Sequence, residues 1–392
     1  MIDTAVELGE FAARVSAAPW VSVDTEADSL HAYPEKLCLL QVAIPGEERL
    51  VDPLADMHLE PLWEAFDRHE IIFHAADYDL HLLSSGHNFR PTSIFDTMWA
   101  ARLLGESKFG LNDVLSTHLG LRLEKGSQKA NWGRRPLTDK MVDYALNDVR
   151  HLHPLKTLLQ NRLQELGRLD WHRQVCDRIL RDATQHTPDD PDDVWRLRGH
   201  DKLDETGLAV LRELWHWRER DALRTGRPPF FILKHEQLAE LSATASETRS
   251  TRGLNLPHFL TSKRRAGVLE AIQRGLEVPE SRLPRPIRVQ SRRMTRSELD
   301  VSDRLAKVRD LNARELGIDP TLIASKATLY ALGRNDPEAW SDLMPWQRHL
   351  LEKPPASGSS PARVPESNPV SPKVGAPEPD DHDRQMPLCG LD

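Results

Sequence analysis

The apolar residues near the start of the chain form short runs of strand length. Residues 20–24 (WVSVD) and 37–44 (LCLLQVAI) are mainly apolar, and a Pro-Gly turn at 45–46 follows the second run. A further short strand-like segment lies near 49–51, and a short apolar run lies at 71–73. Apolar runs of this length, bounded by turn residues, are typical of buried β-strands. The pattern therefore predicts four strands, with the first one ending at an acidic residue.

The spacing of apolar residues changes to a helical period after the fourth run. A helix is predicted from about residue 77 to residue 84, and the same period continues through later segments. An order of three strands, a helix, a fourth strand and further helices indicates a mixed sheet in an α/β domain. The later helical segments are predicted at 96–104, 111–119, 138–149 and 151–182.

Proline-rich and charged stretches divide the rest of the chain. The stretch 186–195 (HTPDDPDDVW) is acidic and contains two prolines, which is typical of a linker. Beyond it, 206–225 places Leu208, Leu211 and Leu214 on one stripe and therefore predicts an amphipathic helix. The predicted division is an α/β domain at 1–185, an acidic linker at 186–200, a small helical domain at 201–281, a basic linker at 282–296, a second helical unit at 297–352 and a disordered tail at 353–392.

The composition indicates which classes of protein the chain can belong to. The 392 residues are 39% hydrophobic and 29% charged, which is enough to build ordinary soluble cores. No run of about 18 apolar residues occurs, and the first residues lack a signal-peptide pattern, so neither a membrane span nor secretion is expected. The three cysteines (Cys38, Cys176 and Cys389) show no paired spacing. Their number and spacing argue against a disulfide framework and a zinc site, and predict a cytoplasmic location.

The charge is unevenly distributed along the chain. The formal net charge is −8, but residues 196–300 contain 21 Lys and Arg against 14 Asp and Glu. Within this region, six arginines and no acid lie between 281 and 296. An acidic region and a basic binding region can coexist in one protein. The negative total therefore does not exclude a nucleic-acid partner.

Asp24 and Glu26 are the first candidates for chemistry. They stand two residues apart on a predicted strand, so both side chains lie on one face. Two carboxylates on one face repel each other unless a cation lies between them, and oxygen ligands favour Mg²⁺ or Mn²⁺. Two solvated acids at a strand end are the more common explanation of such a pair taken alone.

Two later segments supply further acids. Asp79 follows the run at 71–73 by one helical turn, where Asp77 is an equal candidate. Tyr144 and Asp148 are four residues apart on a predicted helix and therefore share one face. A phenol beside a carboxylate can position a water molecule for attack, although such a pair is more often an ordinary surface pair.

Taken in order, these motifs resemble the ribonuclease D family. The resemblance rests on DTEADSLHAYPEKLCLLQ (24–41), FHAADYDLHLL (73–83), FDTMWAARLLG (95–105) and NWGRRPLTDKMVDYALNDVRHL (131–152). This family belongs to the DEDD exonuclease superfamily, in the subclass with tyrosine in the last motif. The resemblance implies a ribonuclease H-like mixed-sheet exonuclease domain, followed by an HRDC domain at 201–281 and a second HRDC-like domain at 297–352.

The resemblance also implies a chemistry. The metal ligands would be Asp24, Glu26, Asp79 and Asp148, because the family motif selects Asp79 over Asp77, and Tyr144 would orient the attacking water. Two Mg²⁺ or Mn²⁺ ions would support 3′→5′ hydrolysis of RNA to nucleoside 5′-monophosphates, with tRNA precursors bearing a single-stranded 3′ end as the expected substrate. A 3′→5′ exodeoxyribonuclease of DNA repair and a non-catalytic nucleic-acid-binding adaptor are the alternatives.

Further residues are candidates for contact with nucleic acid. Basic residues around an aromatic suit a single-stranded end, and an arginine run suits phosphates. Solvated loops, a plain basic linker and, for a histidine between strand and helix, ordinary packing are the competing explanations. The candidates are Gln41, His74, Lys129, Trp132, Arg134, Arg135, Arg285, Arg288, Arg292 and Arg293.

Overall fold

The N-terminal part of the chain is built on a mixed sheet. The computed structural model describes residues 1–124, 126–184, 194–286 and 293–353. Within these ranges the sheet has five strands in the order β3-β2-β1-β4-β5. The β1–β2 and β2–β3 pairs are antiparallel, whereas β1–β4 and β4–β5 are parallel. The strands are β1 (Val21–Ala27), β2 (Leu37–Ile44), β3 (Glu47–Val51), β4 (Ile71–Phe73) and β5 (Ile94–Asp96).

The structure confirms the mixed sheet and corrects two details of the prediction. The first strand does not end at Asp24 but continues to Ala27, so the acidic pair lies inside β1. Strand β5 was not predicted, because its three residues directly precede the segment predicted as a helix at 96–104 and were not separated from it. All eight residues of β2 are buried, since helices cover both faces of the sheet there.

Helices surround this sheet along the predicted segments and also at α1 and α2, which were not predicted. The stretch predicted as one helix at 151–182 is two helices, because the chain turns at Gly167 with a φ of 68°. This left-handed backbone is one that glycine adopts without steric cost. The helices are α1 (Ala5–Ala17), α2 (Glu60–Phe66), α3 (Asp77–His87), α4 (Thr97–Leu103), α5 (Leu111–Leu119), α6 (Asp139–Arg150), α7 (Leu152–Glu165) and α8 (Leu169–Thr184).

The next three helices enclose a hydrophobic core of their own. They are α9 (Glu205–Thr225), α10 (His235–Thr248) and α11 (Ser262–Leu276). Leu208, Leu211 and Leu214 are buried in this core, as the amphipathic pattern predicts. Trp195 is buried there too, so part of the predicted acidic linker at 186–200 belongs to the helical core. Residues 185–193 of that linker lie outside the described ranges.

The last helices do not form a separate core. They are α12 (Arg296–Leu316), α13 (Pro320–Ile323), α14 (Lys326–Gly333), α15 (Pro337–Ser341) and α16 (Pro345–Glu352). Their buried residues belong to the same cluster as those of the sheet and its helices. Trp346 of α16 stacks on Trp171 of α8, with ring centroids 4.9 Å apart. Kinship of this unit with HRDC domains stays a prediction, but its core is shared with the α/β domain.

Arg168 joins the two parts through their backbones. This buried arginine donates from Nη1 to the carbonyl of Leu103 at 2.7 Å and from Nη2 to the carbonyl of Leu316 at 2.6 Å. Both carbonyls belong to the last residues of helices, which need donors because they have no partner within their own helix. One guanidinium therefore caps α4 and α12 together and ties α12 to the α/β domain.

Within the described ranges, no helix combines the length and apolarity that crossing a bilayer requires. The cytoplasmic location stays a prediction. The predicted tail at 353–392 lies outside the description from residue 354 onward, as does 287–292 of the predicted basic linker.

Candidate active site

The acidic pair lies on one face of the central strand β1. Asp24 pairs with Gln41 of β2, and Glu26 pairs with Leu39, in the antiparallel register. The register shifts between Glu26 and Ala27, which is where regular pairing along β1 is interrupted. Because side chains alternate along a strand, Asp24 and Glu26 point to the same side of the sheet.

Helix α6 brings the third acid to this face. Its N-terminus is capped by Thr138, whose side chain accepts from the backbone N–H of Met141. Ala145 and Val149 are buried, so this side of the helix packs onto the sheet. Asp148 lies beside them, and one carboxylate oxygen each from Asp24, Glu26 and Asp148 lies within 4.8 Å of the others. The structure thus brings together three of the four predicted ligands.

Burial and mutual repulsion make these carboxyls weak acids. Desolvation, followed by the charge of Asp79, raises the pKa of Asp24 well above its usual range. Desolvation and the charge of Asp148 raise the pKa of Glu26 to about 8. Desolvation also raises the pKa of Asp148 to about 7. Carboxyls crowded in this way favour a state in which a proton or a cation offsets their charge.

The fourth predicted ligand, Asp79, is held in place by a residue of strand β1. It lies in the first turn of α3 and is buried, whereas Asp77 is exposed. Thr25 Oγ1 donates to Asp79 Oδ1 at 2.6 Å. Desolvation raises the pKa of Asp79 to about 7. Thr25, the middle residue of the DTE motif, was missed by the sequence reasoning, although its place between two candidate ligands was a signal.

Asp96 organises the turn that precedes α3. Its carboxylate accepts from the backbone N–H groups of Ala75 and Ala76 at 3.2 and 2.8 Å, and from Met98 and Trp99 at 2.8 and 3.1 Å. Ala75 has a φ of 64°, an uncommon backbone for alanine. Asp96 therefore holds this turn and the start of α4 together, and the turn sets where Asp79 lies. No sequence signal had marked Asp96 for this role.

Tyr144 lies one helical turn before Asp148, as the spacing predicts. The phenol lies beside the Asp148 carboxyl and lowers the pKa of that carboxyl, against the larger effect of desolvation. Desolvation and the charge of Asp148 raise the pKa of the phenol above its usual range. The hydroxyl therefore keeps its proton at neutral pH and is available as a hydrogen-bond donor.

Two residues predicted to contact nucleic acid lie inside the protein. Gln41 and Trp132 are buried, with 0% and 1% of their surfaces exposed, so neither is accessible to a nucleic acid. The prediction is wrong for these two, because neither a strand end nor basic residues around an aromatic reveal which side chains face solvent. Arg135 forms a bidentate ion pair with Asp52 at 2.5 and 2.6 Å and donates to the carbonyl of Cys38, but its side chain is 24% exposed, and its contact with nucleic acid stays a prediction.

The other candidates divide by exposure. His74 Nδ1 lies 2.9 Å from Thr97 Oγ1, and burial lowers the pKa of its ring to about 4, which matches the packing explanation. Lys129 and Arg134 are exposed and stay predicted contacts. Arg285 and Arg293 are exposed as well, and Arg288 and Arg292 lie outside the described residues.

Comparison with known proteins places this site in a family. Residues 1–164 match the family of 3′–5′ exonuclease domains, and residues 207–251 match the HRDC domain. The ribonuclease D of Gluconacetobacter diazotrophicus is 33% identical over 73% of this chain and 74% of that protein. The ribonuclease D of Jannaschia sp. is 32% identical over 84% of this chain and 87% of that protein.

The chain belongs to the ribonuclease D family. The fold agrees: the crystal structure of Escherichia coli RNase D, titled an exoribonuclease involved in structured RNA processing, superposes with a TM-score of 0.71. The two chains are 22% identical, and the match covers 90% of this chain and 97% of that one. The mixed sheet is thus that of the ribonuclease H-like exonuclease domain, as the sequence resemblance implied.

Proposed function

We propose that the chain is a 3′→5′ exoribonuclease that removes nucleotides one at a time from the 3′ end of RNA. The observation that carries the proposal is the convergence of Asp24, Glu26 and Asp148, with one oxygen from each within 4.8 Å. Membership of the ribonuclease D family, whose curated relatives match most of the chain, supports RNA as the substrate.

The residues present fit a hard divalent cation such as Mg²⁺ or Mn²⁺. The donors are carboxylate oxygens, which these ions prefer. Burial and mutual repulsion raise the pKa values of these carboxyls, and a bound cation would relieve that repulsion. In the proposed arrangement Asp24, Glu26 and Asp148 would hold one ion, and Asp24 and Asp79 a second.

The chain's own residues would then align the reaction. Bound divalent ions supply positive charge that offsets the scissile phosphate and lowers the pKa of the attacking water. Tyr144 would donate a hydrogen bond that orients this water, with its phenol held beside Asp148. Thr25 would keep the Asp79 carboxylate in place through its hydroxyl. Attack on the phosphate and departure of the 3′-oxygen would release a nucleoside 5′-monophosphate.

The substrate proposed in finer detail is a tRNA precursor with a single-stranded 3′ end. The helical core around α9–α11 would hold the RNA body while the tail enters the acidic site. Lys129 and Arg134 lie exposed in the segment that precedes α6, where they can contact phosphates of the tail. Exposed Arg285 and Arg293 lie within the basic linker and extend the positive surface available to the RNA body.

Digestion of end-labelled substrates tests the proposal. Purified protein with Mg²⁺ should shorten a 5′-labelled, 3′-tailed RNA stepwise and release 5′-monophosphates that chromatography identifies. A circular RNA of the same sequence is the control for exonuclease action and should stay intact. Matched tRNA precursor, unstructured RNA and single-stranded DNA, digested side by side, rank the substrates.

Several outcomes would contradict the proposal. Equal or faster digestion of the matched DNA would replace RNA with DNA as the substrate. RNA binding without cleavage in any divalent ion would support an adaptor instead. The Asp148→Asn variant keeps the shape of the side chain but removes its charge, and full activity in this variant would refute the metal assignment.

A further inference from the structure

The segment that precedes α6 folds back against the ring of Tyr144. A Cβ atom placed on Gly126 would lie 2.4 Å from Cδ2 of that ring and 3.2 Å from its Cε2. The backbone of Gly126 is not in the left-handed region, so the close approach to the ring is what requires glycine here. Any larger residue at 126 would have to displace the Tyr144 ring or the segment itself.

The same segment supports the ring at a second place. Trp132 is buried, and its ring centroid lies 6.1 Å from that of Tyr144 at an interplanar angle of 37°. The Tyr144 ring therefore contacts this segment through both Gly126 and Trp132. Two contacts of this kind limit rotation of the side chain about both of its torsions.

We propose that Gly126 is a positioning residue for Tyr144, whose close approach holds the tyrosine ring where its hydroxyl can orient the attacking water. The inference rests on the proposed function, since it assigns this residue a part in that reaction. Gly126 acts through the tyrosine, and its effect on the reaction requires the tyrosine hydroxyl.

A double-mutant cycle tests this dependence. Gly126→Ala should lower kcat about tenfold, with little change in KM or in Mg²⁺ affinity measured calorimetrically. In a Tyr144→Phe background the same substitution should lower kcat by less than about twofold, because the hydroxyl that the ring carries is already gone. Full additivity of the two losses would overturn the inference.

Fluorine NMR gives a readout that does not depend on activity. The chain has four tyrosines, so incorporation of 3-fluorotyrosine gives one signal from each residue, and the signal lost in Tyr144→Phe is that of Tyr144. Gly126→Ala should shift or broaden the Tyr144 signal and leave the other three unchanged. An unchanged Tyr144 signal in this variant would overturn the inference.

Two neighbouring residues supply matched controls. Ser127→Ala lies next to the proposed position, and Gly133→Ala places its Cβ no closer than 3.4 Å to any neighbour, an ordinary contact. Both controls should keep the Tyr144 signal in place. Failure of the proposed function would appear as wild-type protein that does not shorten RNA, whereas failure of this inference would appear in the NMR spectra and the mutant cycle.

Discussion

Gly105 is the residue whose replacement should most disturb the packing of α12 onto the α/β domain. It follows α4 with a φ of 95°, and a Cβ atom built on it would lie 2.1 Å from the carbonyl oxygen of Gly317. Gly317 ends α12 with a φ of 64° and has open space where its own Cβ would be. The two glycines therefore lie close together, but only Gly105 has no room for a side chain.

This asymmetry sets the magnitude of the expected effects. An alanine in left-handed backbone costs about 1–2 kcal/mol, and overpacking against a backbone that must shift adds about 1–3 kcal/mol. Gly105→Ala should therefore lower the free energy of unfolding by about 2–5 kcal/mol, and Gly317→Ala by only about 1–2 kcal/mol. Gly120→Ala, with a φ of 67° and no neighbour within 4 Å, is a control for backbone strain alone.

Thermal denaturation and limited proteolysis of the three variants measure the difference. Gly105→Ala should show the lowest Tm and early cleavage between α12 and α16, since the clash separates these helices from the α/β domain. Gly317→Ala and Gly120→Ala should resemble each other. If Gly105→Ala were no less stable than these two controls, the close approach of α4 and α12 would not be what requires glycine at 105.

Three other predictions concern the site and its surroundings. Thr25→Val removes the hydroxyl that donates to Asp79 and should weaken Mg²⁺ binding or activity about 10–100-fold, measured by calorimetry and by RNA digestion. Mg²⁺ at 100 times its Kd should stabilise the wild-type fold by about 2.7 kcal/mol, and a Tm that rises equally in Asp24→Asn would place the ion elsewhere. Burial lowers the pKa of His172 to about 4, below its unfolded value of about 6.5. Between these values the unfolded chain binds one proton more than the folded chain. The free energy of unfolding should therefore fall by about 2 kcal/mol from pH 7 to pH 5. Urea titrations should show a shallower pH dependence in His172→Asn.

Much of the sheet and the order of the acidic motifs could be predicted from local patterns. The eight buried residues of β2 form one apolar run, and β1 carries its acids at alternate positions. The four-residue spacing of Tyr144 and Asp148 placed both on one face of α6. These features depend on neighbours in the chain, so a periodicity or a motif is enough to reveal them.

The remaining features depend on contacts between distant residues. Trp132 was assigned to the surface because its segment is basic, but it is buried, and Arg135 of the same segment is paired with Asp52. Residues 297–352 were expected to form a unit of their own, but their core is shared with the α/β domain. Nothing in residues 297–352 reveals that Trp346 stacks on Trp171 or that Arg168 binds the end of α12.

The core shared by the α/β domain and α12–α16 has a consequence for protein synthesis. The last residue of α8 is 184, and α16 ends at 352, so the ribosome must add 168 more residues before the partners of that core are present. At about 5–20 residues per second this takes roughly 10–30 s. Helices α9–α11 can bury their own core during that interval, while apolar surface of the α/β domain stays exposed. The α/β domain can therefore complete this shared core only after α12–α16 have been synthesised.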